Sequence, residues 1–392
     1  MDDYKRVLLE LIKQSQFGDG KSFPIGNCDW DIVYSEAVSQ SVIGLIAPEV
    51  PANVRKTDEK WLRIQDRQLA HSIRYFYAEN ELINLLDGAE IPFVILKGTS
   101  AAIYYNHPDR RSMGDIDFLI SQAEYKRALE LLSNNGYERE KESHNLRHVG
   151  FTKNGLSYEC HHHFSHDDLD NEEYIIDGLR QREYALIESD VIGSFRFPML
   201  PRLSNGLVLL DHMRMHLQSG LGLRQIIDWM MFVNKELSDE FWEKEFSPVV
   251  REKGLEKFAK VTTKMCQKYL GLPNSITWCK DADENLCDKL LDMLFESGNF
   301  GRKKGQGNSV ETVRTQIKRF GLFRWLQRAG EYNWRAYKKH HWLKPFCWLY
   351  QIFRYMKQGF KSGRSYDQLS VDLENGKNRY ELLKDLGVVF ET

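Results

Sequence analysis

A chain of 392 residues with 42% hydrophobic residues can bury a large core and exceeds the usual size of one compact domain, so two or three units are expected. Its formal net charge of -2 excludes a global electrostatic pull onto nucleic acid or anionic lipid, and any basic patch must be local. The amino terminus MDDYKRVLLELIKQ lacks the apolar stretch of a leader, no long apolar run occurs, and the six cysteines form no Cys-x-x-Cys pair; a cytoplasmic chain with reduced, structural thiols is expected.

To about residue 90 the apolar residues recur at helical spacing, as in WDIVYSEAVSQSVIGLIAPEV and WLRIQDRQLAHSIRYFYAENELINLLDGA, which predicts a helical region over 1–90. The pattern then changes. IPFVIL and GDIDFLI read as strands, and RHVGFT and LSYECHHHF flank an Asn154-Gly155 hairpin turn. Ser121-x-x-Glu124 predicts a capping box ahead of YKRALELLSNN, with Gly136 closing that helix. A mixed sheet with helices between its strands is therefore expected within a core at 91–200. Helical patterns resume over 201–300, GRKKGQG at 301–307 reads as a linker, and 308–392 is basic and aromatic. The expected fold class is α/β of the α+β kind, a small mixed sheet embedded between helical amino-terminal and carboxy-terminal regions.

The chemistry concentrates in FVILKGTSAAIYYNHPDRRSMGDIDFLI, residues 93–120. Alternate strand residues share a face, so Asp115 and Asp117 point the same way with Cα atoms about 6.6 Å apart. Two carboxylates about 4 Å apart repel by roughly 4 kcal/mol at an effective dielectric of 20, and a divalent cation between them reverses that. Oxygen ligands on a short strand favour Mg²⁺ or Mn²⁺, and two such ions suit an in-line phosphoryl displacement. Upstream, a strand runs into Gly98 and a helix start at Thr99 or Ser100, where free N–H groups, a glycine and a hydroxyl offer a phosphate cradle. Lys97, Arg110 and Arg111 lie in the same stretch and are able to neutralise a triphosphate. In LSYECHHHF, alternation sets Glu159 on one face with His161 and His163, and Tyr158, Cys160 and His162 on the other; Glu159 is the best third metal ligand.

These elements in this order resemble the DNA polymerase β-type nucleotidyltransferase superfamily. More narrowly, LKGTSAAIYY, Arg111-Ser-Met-Gly-Asp-Ile-Asp-Phe-Leu-Ile, Tyr158-Glu159-Cys160-His161 and a helical His216, Arg224 and Asp228 resemble a bacterial uncharacterised nucleotidyltransferase family related to the AbiEii-like proteins. The resemblance covers about 30–235. It implies an NTP substrate, with ATP binding included, and Mg²⁺ or Mn²⁺ as cofactor. A nucleoside monophosphate would pass to an acceptor, with release of pyrophosphate. Asp115, Asp117 and Glu159 would be catalytic and metal-ligating, with Lys97, Gly98, Thr99, Ser100 and Arg111 on the nucleotide and His161, His216, Arg224 and Asp228 in support. The acceptor, whether small molecule, protein or RNA, is not legible.

Plainer readings stand beside these. Thr99 or Ser100 also serves as a helix cap, and Arg110 and Arg111 also fit a solvated loop. Arg224 and Asp228, four residues apart, read as an ion pair or as a substrate contact. The Cys160 to His163 run does not make a zinc site alone, because neighbouring strand residues face apart, and His212 with His216 lacks the glutamate of a zincin motif. The aromatic and basic segment 312–364 reads first as a helical pair interrupted at Pro345, and second as a peripheral contact for a membrane or an acidic partner. The alternative function is a nucleotide-binding or regulatory protein without turnover. For Asp117→Asn, loss of transfer and, by relief of repulsion, higher stability without metal are expected.

Overall fold

The computed structural model describes residues 1–18, 28–140, 148–164, 172–299, 321–334, 336–337, 340–362 and 379–388. The chain divides into two compact units, the first comprising 1–216 and 220–303, the second 217–219 and 304–392. The expected linker at 301–307 lies outside the described residues.

In the first unit, helices α1 (Asp3–Phe17), α2 (Trp30–Ser39) and the long α3 (Lys60–Gly88) precede strand β1 (Phe93–Leu96). A one-turn helix α4 (Gly98–Ala102) leads to β2 (Ile116–Ile120), then α5 (Tyr125–Asn134), β3 (Glu138–Arg139), β4 (His148–Lys153) and β5 (Leu156–His161). The five strands form one mixed sheet in the order β1-β2-β5-β4-β3, with β2 antiparallel to β1 and parallel to β5. Asn154 and Gly155 both take positive φ, 51° and 73°, as a two-residue hairpin turn requires. That turn fixes Lys153 opposite Leu156 and every pair behind it.

Both faces of the sheet are covered, which is why β1 and β2 read as continuous apolar runs. On one face Phe93, Ile95, Ile116, Phe118, Tyr158 and Cys160 pack with Tyr75, Leu82 and Leu86 of α3 and with Ala128 and Leu132 of α5. On the other face Val94, Leu96 and Leu119 meet α6 (Glu172–Arg180) through Ile175 and Leu179, and α7 (Arg202–Ser219) through Val208. Between α6 and α7 runs a second hairpin, β6 (Glu183–Ser189) and β7 (Gly193–Met199), which sequence periodicity did not announce. Helices α8 (Leu223–Glu236), α9 (Glu256–Leu270) and α10 (Glu284–Ser297) follow.

One local expectation changes. Helix α5 begins at Tyr125 and its cap Glu124 makes no side-chain capping bond; Glu124 N–H instead donates to the Ser121 carbonyl at 3.0 Å, so a turn stands where the capping box was expected. Gly136 does follow α5 with a left-handed φ of 80°.

In the second unit, α11 (Leu322–Asn333) packs on α12 (Cys347–Ser362), joined by a 3₁₀ segment through Pro345. Trp334 stacks on Tyr350 with centroids 5.1 Å apart, while Phe323, Trp342 and Phe353 are exposed. No helix among the described residues is long and apolar enough to cross a membrane.

Candidate active site

Strand register sets the residues of one sheet face in two rows. In the first, Leu96 lies beside Asp117, Asp117 beside Glu159 and Glu159 beside Gly150. In the second, Val94 is followed by Leu119, His161 and His148. Both rows begin apolar under α6 and α7; the first turns polar at Asp117 on β2 and Glu159 on β5, the second at His161 on β5 and His148 on β4. There a cavity of about 600 Å³ opens, lined by Lys97, Gly98, Asp115, Asp117 and Glu159 and closed across by His212, His216 and Arg224. Val38, Ile43, Ile64, Met113 and Met215 supply its apolar wall.

The two aspartates differ. Asp117 is buried, at 8% exposure, and its Oδ1 accepts from Lys97 Nζ at 2.9 Å and lies 3.0 Å from His161 Nε2. Burial pushes its pKa up, but the Lys97 charge and the His161 hydrogen bond outweigh that and hold it below the usual carboxylate range. Asp115, just ahead of β2, is exposed to the cavity, and its pKa is raised by lost hydration and by the charges of Asp117 and Glu159. His161 Nε2 is also 3.2 Å from Glu159 Oε2, and His148 Nε2 is 3.6 Å from Glu159 Oε1. Burial lowers the His161 pKa and its two carboxylate partners raise it, the second effect winning. For His148 burial wins.

The glycine turn is built from below. Lys97 has φ 48° and Gly98 φ 30°, and a Cβ at Gly98 would sit 2.4 Å from the Tyr75 hydroxyl oxygen, so only glycine fits. Tyr75 Oη donates to the Asp115 carbonyl at 3.3 Å. The Thr99 hydroxyl donates to the buried Glu79, and the Ser100 hydroxyl donates to the Lys97 carbonyl at 2.8 Å, with Asn205 beside it. Both hydroxyls therefore brace the turn, while Lys97 and Gly98 face the cavity. Sequence reading missed Glu79: burial raises its pKa to about 8, against the Thr99 and Tyr75 hydroxyls that favour its charged form.

Arg111 reaches the cavity wall, but its guanidinium grips Asp228 in a bidentate pair, Nε to Oδ1 and Nη2 to Oδ2, both 2.7 Å. Tyr105 Oη adds 2.6 Å to the same carboxylate. Asp228 thus ties the segment before β2 to α8, and the bidentate partner is Arg111 in place of the Arg224 expected from helical spacing. Arg224 Nη1 donates to the Ser112 carbonyl at 3.2 Å beside the cavity. His216 Nε2 and His212 Nε2 share a hydrogen bond of 2.9 Å on α7, and burial, with His216 and Lys97 nearby, holds the His212 pKa well down.

A mixed sheet that presents an Asp-x-Asp strand beside a strand-glycine-helix turn, with an acidic neighbour on the next parallel strand, defines a nucleotidyltransferase-type core. The chain belongs to the uncharacterised nucleotidyltransferase family, whose model matches residues 27–271. That membership supports nucleotidyl transfer as the class of activity and an NTP as substrate. No curated protein matches the chain.

Proposed function

We propose that the chain transfers a nucleoside monophosphate from an NTP, ATP being the first to test, to an acceptor hydroxyl, with Mg²⁺ or Mn²⁺ and release of pyrophosphate. The observation that carries this is the convergence of Asp115, Asp117 and Glu159 on one cavity beside Gly98. The donor set fits a divalent ion: burial and then the charges of Asp117 and Glu159 raise the Asp115 pKa, and the cation Lys97, with His161, stands against Asp117. Asp115, Asp117 and Glu159 would hold it, and a bound ion would supply positive charge to the reacting phosphate. In this reading residues 91–200 are the catalytic core, flanked by 1–90 and 201–300, in a cytoplasmic setting where NTPs are available.

Gly98 lets the backbone approach the β and γ phosphates, and Lys97 contributes charge. Glu159 orients or deprotonates the acceptor hydroxyl. The acceptor oxygen then attacks the α phosphorus, the bond from that phosphorus to the bridging oxygen breaks, and pyrophosphate leaves with the electron pair. His216 and Arg224 face the substrate from α7 and α8, and Arg111 and Asp228 keep the Ser112 to Asp115 segment in place.

The test is incubation with each NTP labelled at the α phosphate, with Mg²⁺ or Mn²⁺, against lysate protein, RNA and small metabolites. Label on an acceptor, absent with Asp117→Asn, is expected. Nucleotide binding without transfer to any acceptor would reject catalysis and favour a binding or regulatory role.

A further inference from the structure

We propose that His148, Glu159 and His161, with Asp117 at their edge, form a mixed nitrogen and oxygen site for a divalent first-row transition ion, ligated directly by imidazole. The inference shares Glu159 and Asp117 with the proposed catalytic carboxylates and so rests on that reading, but it goes beyond an all-oxygen ion site.

The argument begins with register. The hairpin turn places His148 directly opposite His161, and Glu159 precedes His161 by one strand repeat, so all three side chains leave the same face of the sheet. One donor atom from each lies within 4.8 Å of the other two. Individual separations are 3.2 Å between His161 Nε2 and Glu159 Oε2, 3.6 Å between His148 Nε2 and Glu159 Oε1, and 3.0 Å between His161 Nε2 and Asp117 Oδ1. Two ligand atoms each about 2.1 Å from one ion stand about 3.0 to 3.4 Å apart in octahedral or tetrahedral geometry. The donors are thus close to ligating distance with little rearrangement, and paired hydrogen-bonded strands hold them there.

Donor chemistry then selects the ion. Mg²⁺ is served by carboxylates, carbonyls and water, whereas imidazole favours Zn²⁺, Fe²⁺ and their neighbours. Two imidazoles and a carboxylate on one sheet face are a poor match to Mg²⁺. The site therefore takes Mn²⁺ measurably and Zn²⁺ more tightly, in the general affinity order for such ligands.

The test uses the full-length protein without nucleotide. Mn²⁺ binding is followed by electron paramagnetic resonance, and the bound ion is examined by electron spin echo modulation for directly coordinated ¹⁴N. Expected are imidazole nitrogen couplings in the wild type, an affinity at least about tenfold weaker in folded His148→Gln and His161→Gln, and loss of the couplings when both are changed. Equimolar Zn²⁺ should displace Mn²⁺, and Mg²⁺ in hundredfold excess should not. His148 is only partly buried, so its variant gives a reading even where His161→Gln fails to fold. Bound Mn²⁺ without nitrogen coupling, no Mn²⁺ binding, or ready displacement by Mg²⁺ would each overturn the proposal. The labelled-NTP assay decides catalysis independently, so the two failures are distinguishable.

Discussion

Glu79 offers a direct check on how the glycine turn is supported. Its carboxyl is fully buried on α3, and burial shifts its pKa from 4.5 to about 8, so the folded protein holds a proton there at neutral pH that the unfolded chain releases. The folded state binds more protons between these values, so stability from this group is present in full below about pH 4.5 and is lost as pH rises through about 8. At about 1.4 kcal/mol per pH unit, a shift of this size weakens the fold by about 4 kcal/mol between pH 4 and pH 9. Glu79→Gln is the perturbation. Glutamine keeps the shape of the neutral acid and an oxygen to accept from Thr99, but it does not ionise. Denaturant unfolding of both proteins from pH 5 to pH 8.5 should give nearly equal stability at the acid end. At the alkaline end the variant should be more stable by about 3 to 4 kcal/mol. Parallel curves, or a variant weaker at every pH, would refute the reasoning and show that the carboxylate is ionised and paired in the fold.

Three other outcomes follow from the geometry. Asp115→Asn should raise the metal-free melting temperature, because lost hydration and the charges of Asp117 and Glu159 outweigh the Lys97 and Arg224 charges in disfavouring its ionised form, whereas Asp117→Asn should lower it by removing the carboxylate that Lys97 and His161 hold. Scanning calorimetry in chelator decides the pair, and equal shifts of one sign would refute the assignment. Gly98→Ala places a Cβ 2.4 Å from Tyr75 Oη at positive φ and should destabilise the first unit by about 2 kcal/mol or more, read by urea unfolding. Asp228→Asn leaves the buried Arg111 without its charge partner and should lose about 3 to 5 kcal/mol in the same assay.

Much of the sheet was legible because its signals are local. The Asn154-Gly155 turn, the apolar runs at β1 and β2, and alternation along β5 needed no distant partner. The β6 and β7 hairpin was not legible because few of its side chains are buried, Ile187 and Phe197 among them, so the alternating pattern is thin. Partners set by tertiary contact stayed hidden for another reason. Asp228 is four residues from Arg224 on α8, yet the planar fork of Arg111, arriving from the segment before β2, makes two short bonds that a helical neighbour was expected to make. Glu79 meets Thr99 only when α3 lies across the sheet, and nothing near Glu79 in sequence announces that. The expectation for Asp117→Asn changes sign for a related reason: sequence shows the repulsion between two aspartates, whereas Lys97 and His161 reach Asp117 only in the fold.

His148 lies between these cases. A two-residue turn fixes hairpin register, so counting back from Lys153 and Leu156 puts His148 opposite His161 without any structure. Against a zinc site in Cys160 to His163 stand two sequence arguments, that neighbours on one strand face apart, so at most two reach one ion, and that no partner Cys/His pair has clear spacing. The first holds within a strand and says nothing of the strand beside it, where the facing residue shares its side of the sheet. Sheet faces collect ligands across strands rather than along them. The rows running from Leu96 to Glu159 and from Val94 to His148 show the consequence, since each begins where helices cover the sheet and ends in the groups able to bind an ion.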